Sequence, residues 1–285
     1  GARGFRSQAM KPASFDYLRP DTLDEVLAAL GELGGDARVL AGGQSLLPML
    51  NMRLLQPKLV VDIGRLAALA EVRVVDGRLV VGAAVTQAEL AARPRLAAEA
   101  PLLAAALPWV GHDQTRNRGT ICGSIAHADP SAELPLCLLA LGGDVVLRAT
   151  RGHRIVSADD FLLGVLSTAK RDDELVEAVR FPLHQGGAGF AFREVAQRHG
   201  DFAIVACAAI VTPAHIRLAI GGVAGRPILR EWRSGLDDDG LDDALNAFAW
   251  ELGAVDDLHA SARYRRELVR RMGRRTIEEA RQCRG

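Results

Sequence analysis

Two glycine-bearing loops, Ala41-Gly42-Gly43-Gln44-Ser45 and Thr120-Ile121-Cys122-Gly123-Ser124, constrain this chain more than any other feature. Each stands where a strand is expected to hand over to a polar turn or a helix. Arg38-Val39-Leu40 reads as a short strand entering the first loop, and Leu46 to Leu55 as a helix leaving it, with Pro48 near the helix start where a missing N–H costs little. Glycine has no Cβ, so phosphate oxygens can come close to such a loop, and unpaired amides at a helix start favour negative charge. Two ordinary glycine turns are the plain reading, and two halves of one phosphate cradle the functional one.

The stretch around the second loop is densely polar. Gln114, Thr115, Arg116, Asn117 and Arg118 lead into it, and His127, Asp129 and Glu133 follow. The Thr120 and Ser124 hydroxyls and the loop amides are candidates for phosphate, and a downstream carboxylate, Asp129 or Glu133, for sugar-like hydroxyls. Arg116 and Arg118 read first as surface charges. The common nucleotide signatures are missing: no G-x-G-x-x-G follows the first strand, no G-x-x-x-x-G-K-[ST] occurs, and Gly221-Gly222-Val223-Ala224-Gly225 lacks the required spacing. G-x-S-x-G is absent as well.

At 285 residues the chain suggests two domains, on a prior of about 150 residues each. Helical spacing runs from Leu23 to Leu33 behind the caps Asp21 and Thr22, and Leu59 to Ile63 reads as a buried strand. Val72 to Val75 and Leu79 to Val81 flank the hairpin signal Asp76-Gly77, and Thr86 with Glu89 makes a capping box. Helices are expected from Leu96 to Leu107 and from Ser131 to Leu141, then a strand from Asp144 to Thr150. Beyond Gly186-Gly187 the texture changes. Gly189 to Gln197, Phe202 to Val211 and Ile216 to Val223 read as an antiparallel sheet, followed by helices Leu241 to Leu252 and Ser261 to Gln282.

Charge and cysteine usage exclude several function classes. With 35 basic and 35 acidic residues, the chain has no net field for tracking nucleic acid. The basic run Arg263 to Arg275 is interleaved with Glu267 and reads as a solvated or partner-facing helix surface. The best apolar stretch, Phe202 to Val211, is only strand-length, so no transmembrane segment is expected. Residues 1–10 carry no apolar signal core and read as a leader or tag remnant ahead of Met10-Lys11, which makes a cytoplasmic location the expectation. Cys122, Cys137, Cys207 and Cys283 form no C-x-x-C pair, and the seven histidines are scattered, so no metal site is expected on this chain.

Six segments in order carry a family resemblance: Phe15 to Pro20, Leu40 to Pro48, Arg116 to Pro135, Arg198 to Ala203, Ala219 to Val223, and His259 to Arg266. In these the chain resembles the FAD-binding medium subunit of the molybdenum hydroxylases, the xanthine dehydrogenase and carbon monoxide dehydrogenase family. The resemblance implies an α+β fold. A two-part FAD-binding domain of the PCMH type would span residues 11–185, subdivided near 64. A carbon monoxide dehydrogenase flavoprotein-like domain with a three-stranded antiparallel sheet and helices would span 186–285.

It further implies that residues 41 to 45, flanked by Val39, Leu40 and Leu46, and residues 120 to 124 hold the FAD pyrophosphate. Glu133 would lie near the ribityl chain with Asp129 close by, Val110 and Val176 would line the pocket, Arg193 would lie near the flavin, and Phe202 beside the isoalloxazine. Where the family often reads Thr-Ile-Gly-Gly-Asn, this chain has Cys122 and Ser124, so position 122 is expected to sit less close to phosphate than Gly123.

The implied role is electron transfer. A small subunit with [2Fe-2S] clusters and a large subunit with the molybdenum cofactor would be partners in a dimer of heterotrimers, with FAD on this chain passing electrons to an external acceptor. No acid, base or nucleophile is assigned here. Two other classes stay open: a self-sufficient FAD oxidoreductase of the same fold, which would need its own substrate-facing base, and a non-catalytic nucleotide-binding interaction module.

Overall fold

The computed structural model describes residues 11–283, and the leader assigned to residues 1–10 lies outside the described residues. The chain opens with β1 (Asp16–Leu18), α1 (Leu23–Leu33), β2 (Ala37–Leu40), α2 (Leu46–Asn51) and β3 (Leu59–Asp62). These three strands form a parallel sheet in the order β1-β3-β2. Thr22 caps α1 by accepting the Glu25 N–H at 3.3 Å, and Gly34 ends it with a φ of 50° that favours glycine. The pairing of Leu40 with Asp62, backed by the Ile63 N–H donating to Leu40 O at 2.9 Å, fixes where the first loop leaves the sheet. Helix α2 stops at Asn51, short of the expected Leu55, because Arg53 turns left-handed at φ 57° and donates its N–H to Leu50 O.

The chain continues through β4 (Val72–Val75), β5 (Arg78–Gly82), α3 (Gln87–Ala91), α4 (Leu96–Glu99), α5 (Pro101–Ala106), α6 (Asp113–Arg116), α7 (Ile121–His127) and α8 (Glu133–Leu141). It then makes β6 (Asp144–Ala149), β7 (Gly152–Ser157), α9 (Ala158–Phe161), β8 (Leu162–Gly164), β9 (Ser167–Thr168) and β10 (Leu175–Pro182). Strands β4-β5-β10-β6-β7 form an antiparallel sheet in that order. Its first hairpin turns on Asp76 and Gly77, both at positive φ (50° and 70°), as a two-residue turn requires. The expected Leu96 to Leu107 helix is broken at Ala100, because Pro101 has no N–H to continue it and instead opens α5.

The last part holds β11 (Gly189–Val195), β12 (Val205–Val211), β13 (His215–Gly221), β14 (Ile228–Arg233), α10 (Asp238–Glu251) and α11 (Ala262–Gln282). Its antiparallel sheet has four strands, one more than expected. The extra edge strand, Ile228-Leu229-Arg230-Glu231-Trp232-Arg233, is half charged and offers no apolar run to find. Strand β12 starts at Val205, so Phe202 lies ahead of it rather than within it.

Helices cover one face of this sheet: Cys207, Ala209, Leu218 and Ile220 share a core with Leu245, Phe248, Val269 and Ile277. The other face packs on the first part of the molecule, where Phe192, Ala206, Ala208 and Ala219 join Leu134 and Leu136 of α8. All seven residues of β12 are therefore buried, which explains why it reads as continuously apolar. Among the described residues no helix is long and apolar enough to cross a membrane.

Candidate functional site

The fold brings the two glycine loops into backbone contact. A Cβ at Gly42 would lie 2.1 Å from Arg118 O and 2.7 Å from Gly119 Cα, so only glycine permits the approach. Gly43 adopts a left-handed φ of 72° that turns the chain between β2 and α2. Among the described residues, the successive main-chain N–H groups from Gly42 to Leu46 donate to no acceptor within the protein, and the first hydrogen bond after the turn is Leu47 N–H to Gly43 O at 3.1 Å. Ser45 precedes α2 without a side-chain cap bond, and the Gln44 amide donates to Gly42 O at 3.3 Å. Val39 and Leu40 bring the chain into this loop from β2, and Leu46 carries it into α2.

The second loop is reached differently from the expectation. It follows α6, not a strand, and is held by an isolated bridge between Thr86 and Thr120, with Gln87 N–H donating to Gly119 O at 2.8 Å and Ile121 N–H to Val85 O at 3.2 Å. Thr120 is buried and caps α7, its hydroxyl oxygen accepting the Gly123 N–H at 3.0 Å. Gly123 is required there, since a Cβ would fall 2.6 Å from Thr120 Oγ1. Ile121 and Cys122 point into the core. The Cys122 thiol donates to Val81 O at 3.4 Å, and burial pushes its pKa up to about 12, so it stays a thiol. Ser124 sits half-buried one residue further into α7.

Of the remaining candidates, Val110 and Val176 are buried in the core of the first part, Val176 beside a bulge in β10. Arg116 does not reach the loops: it donates to Val110 O at 2.9 Å and Gly111 O at 3.0 Å and pairs with Asp113. Arg193 is turned away too, since its side chain is ion-paired with Glu279 of α11 at 2.7 Å, on the opposite sheet face from Phe192. Phe202 is 68% exposed, in a segment laid directly on the approach to the second loop. There, a Cβ at Gly200 would lie 2.6 Å from His112 Cε1, and His199 stacks on Trp109 with ring centroids 5.8 Å apart.

The carboxylates ahead of α8 divide their work. Asp129 accepts the Ser131 N–H at 2.8 Å and shapes the turn. Glu133, first in α8, is raised to about 7, chiefly by burial and further by the charge of Asp129. Sequence reading missed Glu194 of β11, raised to about 8 by burial and then by Glu133. The strand alternation could have found it, because Phe190, Phe192 and Glu194 share one face and a lone acid ends an aromatic stripe.

A run of unpartnered amides beside a second glycine-lined turn suits an anion with several oxygens, such as a pyrophosphate. Residues 13–184 match the family model described as the FAD binding domain in molybdopterin dehydrogenase, and residues 190–280 match the CO dehydrogenase flavoprotein C-terminal domain. The chain is 38% identical to the 6-hydroxypseudooxynicotine dehydrogenase complex subunit alpha of Paenarthrobacter nicotinovorans, over 95% of this chain and 96% of the relative. It is 35% identical to the carbon monoxide dehydrogenase medium chain of Hydrogenophaga pseudoflava, over 95% and 98%. Among solved structures, a chain of quinoline 2-oxidoreductase from Pseudomonas putida 86 superposes with a TM-score of 0.89 at 34% identity, covering 95% of this chain and 98% of its own. By these matches, which span both parts of the molecule, the chain belongs to the family of FAD-binding proteins of the molybdopterin dehydrogenases.

Proposed function

We propose that this chain is the FAD-carrying electron-transfer subunit of a heterotrimeric molybdenum-dependent hydroxylase or dehydrogenase. It takes electrons from [2Fe-2S] clusters on a small partner subunit and delivers them to an external acceptor, while a large molybdenum subunit oxidises the substrate. The observation that carries this reading is the backbone contact of Gly42 with Arg118 and Gly119, beside the unpartnered amides from Gly42 to Leu46. Relatives that are themselves a medium chain and a complex subunit support the multi-subunit reading over a self-sufficient oxidoreductase or a non-catalytic module.

When bound, FAD supplies reversible one- and two-electron redox chemistry. The protein's own part is binding and orientation. Residues 41 to 45 and residues 120 to 124 would hold the pyrophosphate, with Gly42 keeping the two loops at one spacing. Ser124 adds a hydroxyl. Glu133 would lie near the ribityl chain with Asp129 ordering its turn, Val110 and Val176 would line the pocket, and Phe202 would stand beside the isoalloxazine. Arg193 would lie near the flavin, on the strand that also carries Phe192.

The domain division follows the same assignment: 11–185, subdivided near 64, and 186–285. A dimer of heterotrimers in the cytoplasm is the assembly proposed. The test is purification of the chain alone and with its partners. Bound yellow FAD without substrate turnover in the isolated chain supports the subunit role, and substrate oxidation by the isolated chain overturns it.

A further inference from the structure

A cavity of about 290 Å³ lies between Trp109, the free edge of β11 and α11. Because β11 is the outer strand of its sheet, Arg193 on the α11 face and Glu194 on the opposite face both border it. From α11 it takes Leu268, Arg271, Met272 and Arg275, a stripe at helical spacing. Trp109 is held in place by His199, stacked on it, and by Phe192, with ring centroids 5.8 and 6.5 Å away. None of the residues assigned to the pyrophosphate or the ribityl chain lines this cavity, and of the flavin set only Arg193 does.

The lining has three chemical parts. Trp109, Leu268 and Met272 give it an apolar wall. Glu194, only 8% exposed, borders it with both carboxylate oxygens buried and without a hydrogen-bond partner among the described residues. Buried polar groups are partnered in folded proteins, so an unpartnered one at a cavity marks where a ligand group is received. Burial, chiefly, raises this carboxyl to about 8, so near neutrality it is the acid, with one O–H to donate and a second oxygen to accept. That pattern is met by an N–H beside a carbonyl on one edge of a ring, as in a lactam. The third part is cationic. Arg193 is engaged by Glu279 and Arg271 by Glu267, whereas Arg275 is exposed and makes no ion pair among the described residues, with Glu194 or any other acid. Such a lining disfavours cationic ligands and leaves one guanidinium available to an anionic group. A volume near the roughly 300 Å³ lower bound of small-molecule sites suits one or two fused rings.

We propose that this cavity is a second small-molecule site, which binds a planar heterocyclic anion with its lactam edge against Glu194, its ring against Trp109 and Met272, and its carboxylate on Arg275. The ligand joins the outer strand of the C-terminal sheet, the last helix and the Trp109 turn of the FAD-binding part. The site is separate from the flavin's and does not rest on the flavin assignment.

The test is calorimetric titration of the full chain, as purified and after saturation with FAD, with 2-quinolone-4-carboxylate as the probe. Binding at a single site is expected in both states. Quinoline-4-carboxylate, which lacks the lactam, and 2-quinolone, which lacks the carboxylate, are each expected to bind about tenfold more weakly or worse. Arg275→Gln should weaken the lactam carboxylate about tenfold and leave 2-quinolone unchanged, and Glu194→Met should weaken both of these while leaving quinoline-4-carboxylate unchanged. Undetectable binding at millimolar probe, parental affinity of Glu194→Met for the lactam carboxylate, or displacement of the probe by FAD overturns the site. Should Glu194→Met not fold, the three probes on the parent decide: equal affinities overturn the site, and the stated order supports it.

Discussion

Gly42 and Arg118 meet through their backbones, with the Arg118 carbonyl oxygen 2.1 Å from where a Gly42 Cβ would stand. Residues 76 positions apart are thereby held as one surface, and neither can shift without the other. Gly42→Ala is expected to part them and weaken FAD binding at least tenfold, about 1.4 kcal/mol. FAD content after purification and a fluorescence titration read the effect. Gly235→Ala, where a Cβ meets nothing within 4 Å, is the control that keeps parental affinity. Undiminished FAD in a folded Gly42→Ala protein counts against the loop assignment.

Thr120 is placed to order the second loop by capping α7. Thr120→Val keeps the shape and removes the acceptor for the Gly123 N–H, so a loss of about 1 kcal/mol is expected, with Thr120→Ser near parental. Denaturant midpoints for the three proteins check it, and equal midpoints for Val and Ser would dismiss the cap.

Glu174 behaves oppositely to Glu133 and Glu194, whose carboxyls burial raises. The Arg154 guanidinium, 2.7 and 2.9 Å away, holds its carboxyl below the ordinary glutamate value against the cost of burial. Its contribution is present above that ordinary value and is lost as the pH falls through the depressed one. Glu174→Gln should therefore destabilise the protein at pH 7 by roughly 2 kcal/mol, with the difference from the parent shrinking toward pH 3. A difference that stays constant with pH would refute the ionic origin.

Thiol reactivity should divide the four cysteines sharply. Cys122, Cys137 and Cys207 are buried, with burial raising each thiol, whereas Cys283 is exposed. Ellman's reagent is expected to modify one thiol rapidly in the native chain and none in Cys283→Ser. Fast modification of a second thiol would show that one of the buried sites opens.

The legible parts of this molecule were those where one residue type answers a local geometric demand. Thr22, Thr86 and Ser261 cap their helices as their positions suggest, and Asp76-Gly77 turns its hairpin. Gly42 and Gly43 flagged the first loop, although the reason Gly42 must be glycine is a contact with residues far along the chain. What escaped sequence reading depended on partners. Strand β14 is charged because it is an exposed edge, Glu194 gains its character chiefly from burial in the folded molecule, and Arg193 is claimed by Glu279 86 residues away. The second loop looked like a strand end because Thr120 really does bridge to Thr86, but a single bridge is not a strand.

Strand β12, clad from both sides, belongs to two cores at once. Severing the chain near Gly186 would leave Leu134 and Leu136 facing water on one fragment and Ala206 and Ala208 on the other. The halves that sequence distinguishes so readily should therefore melt together, in one cooperative transition, and resist expression as separate pieces.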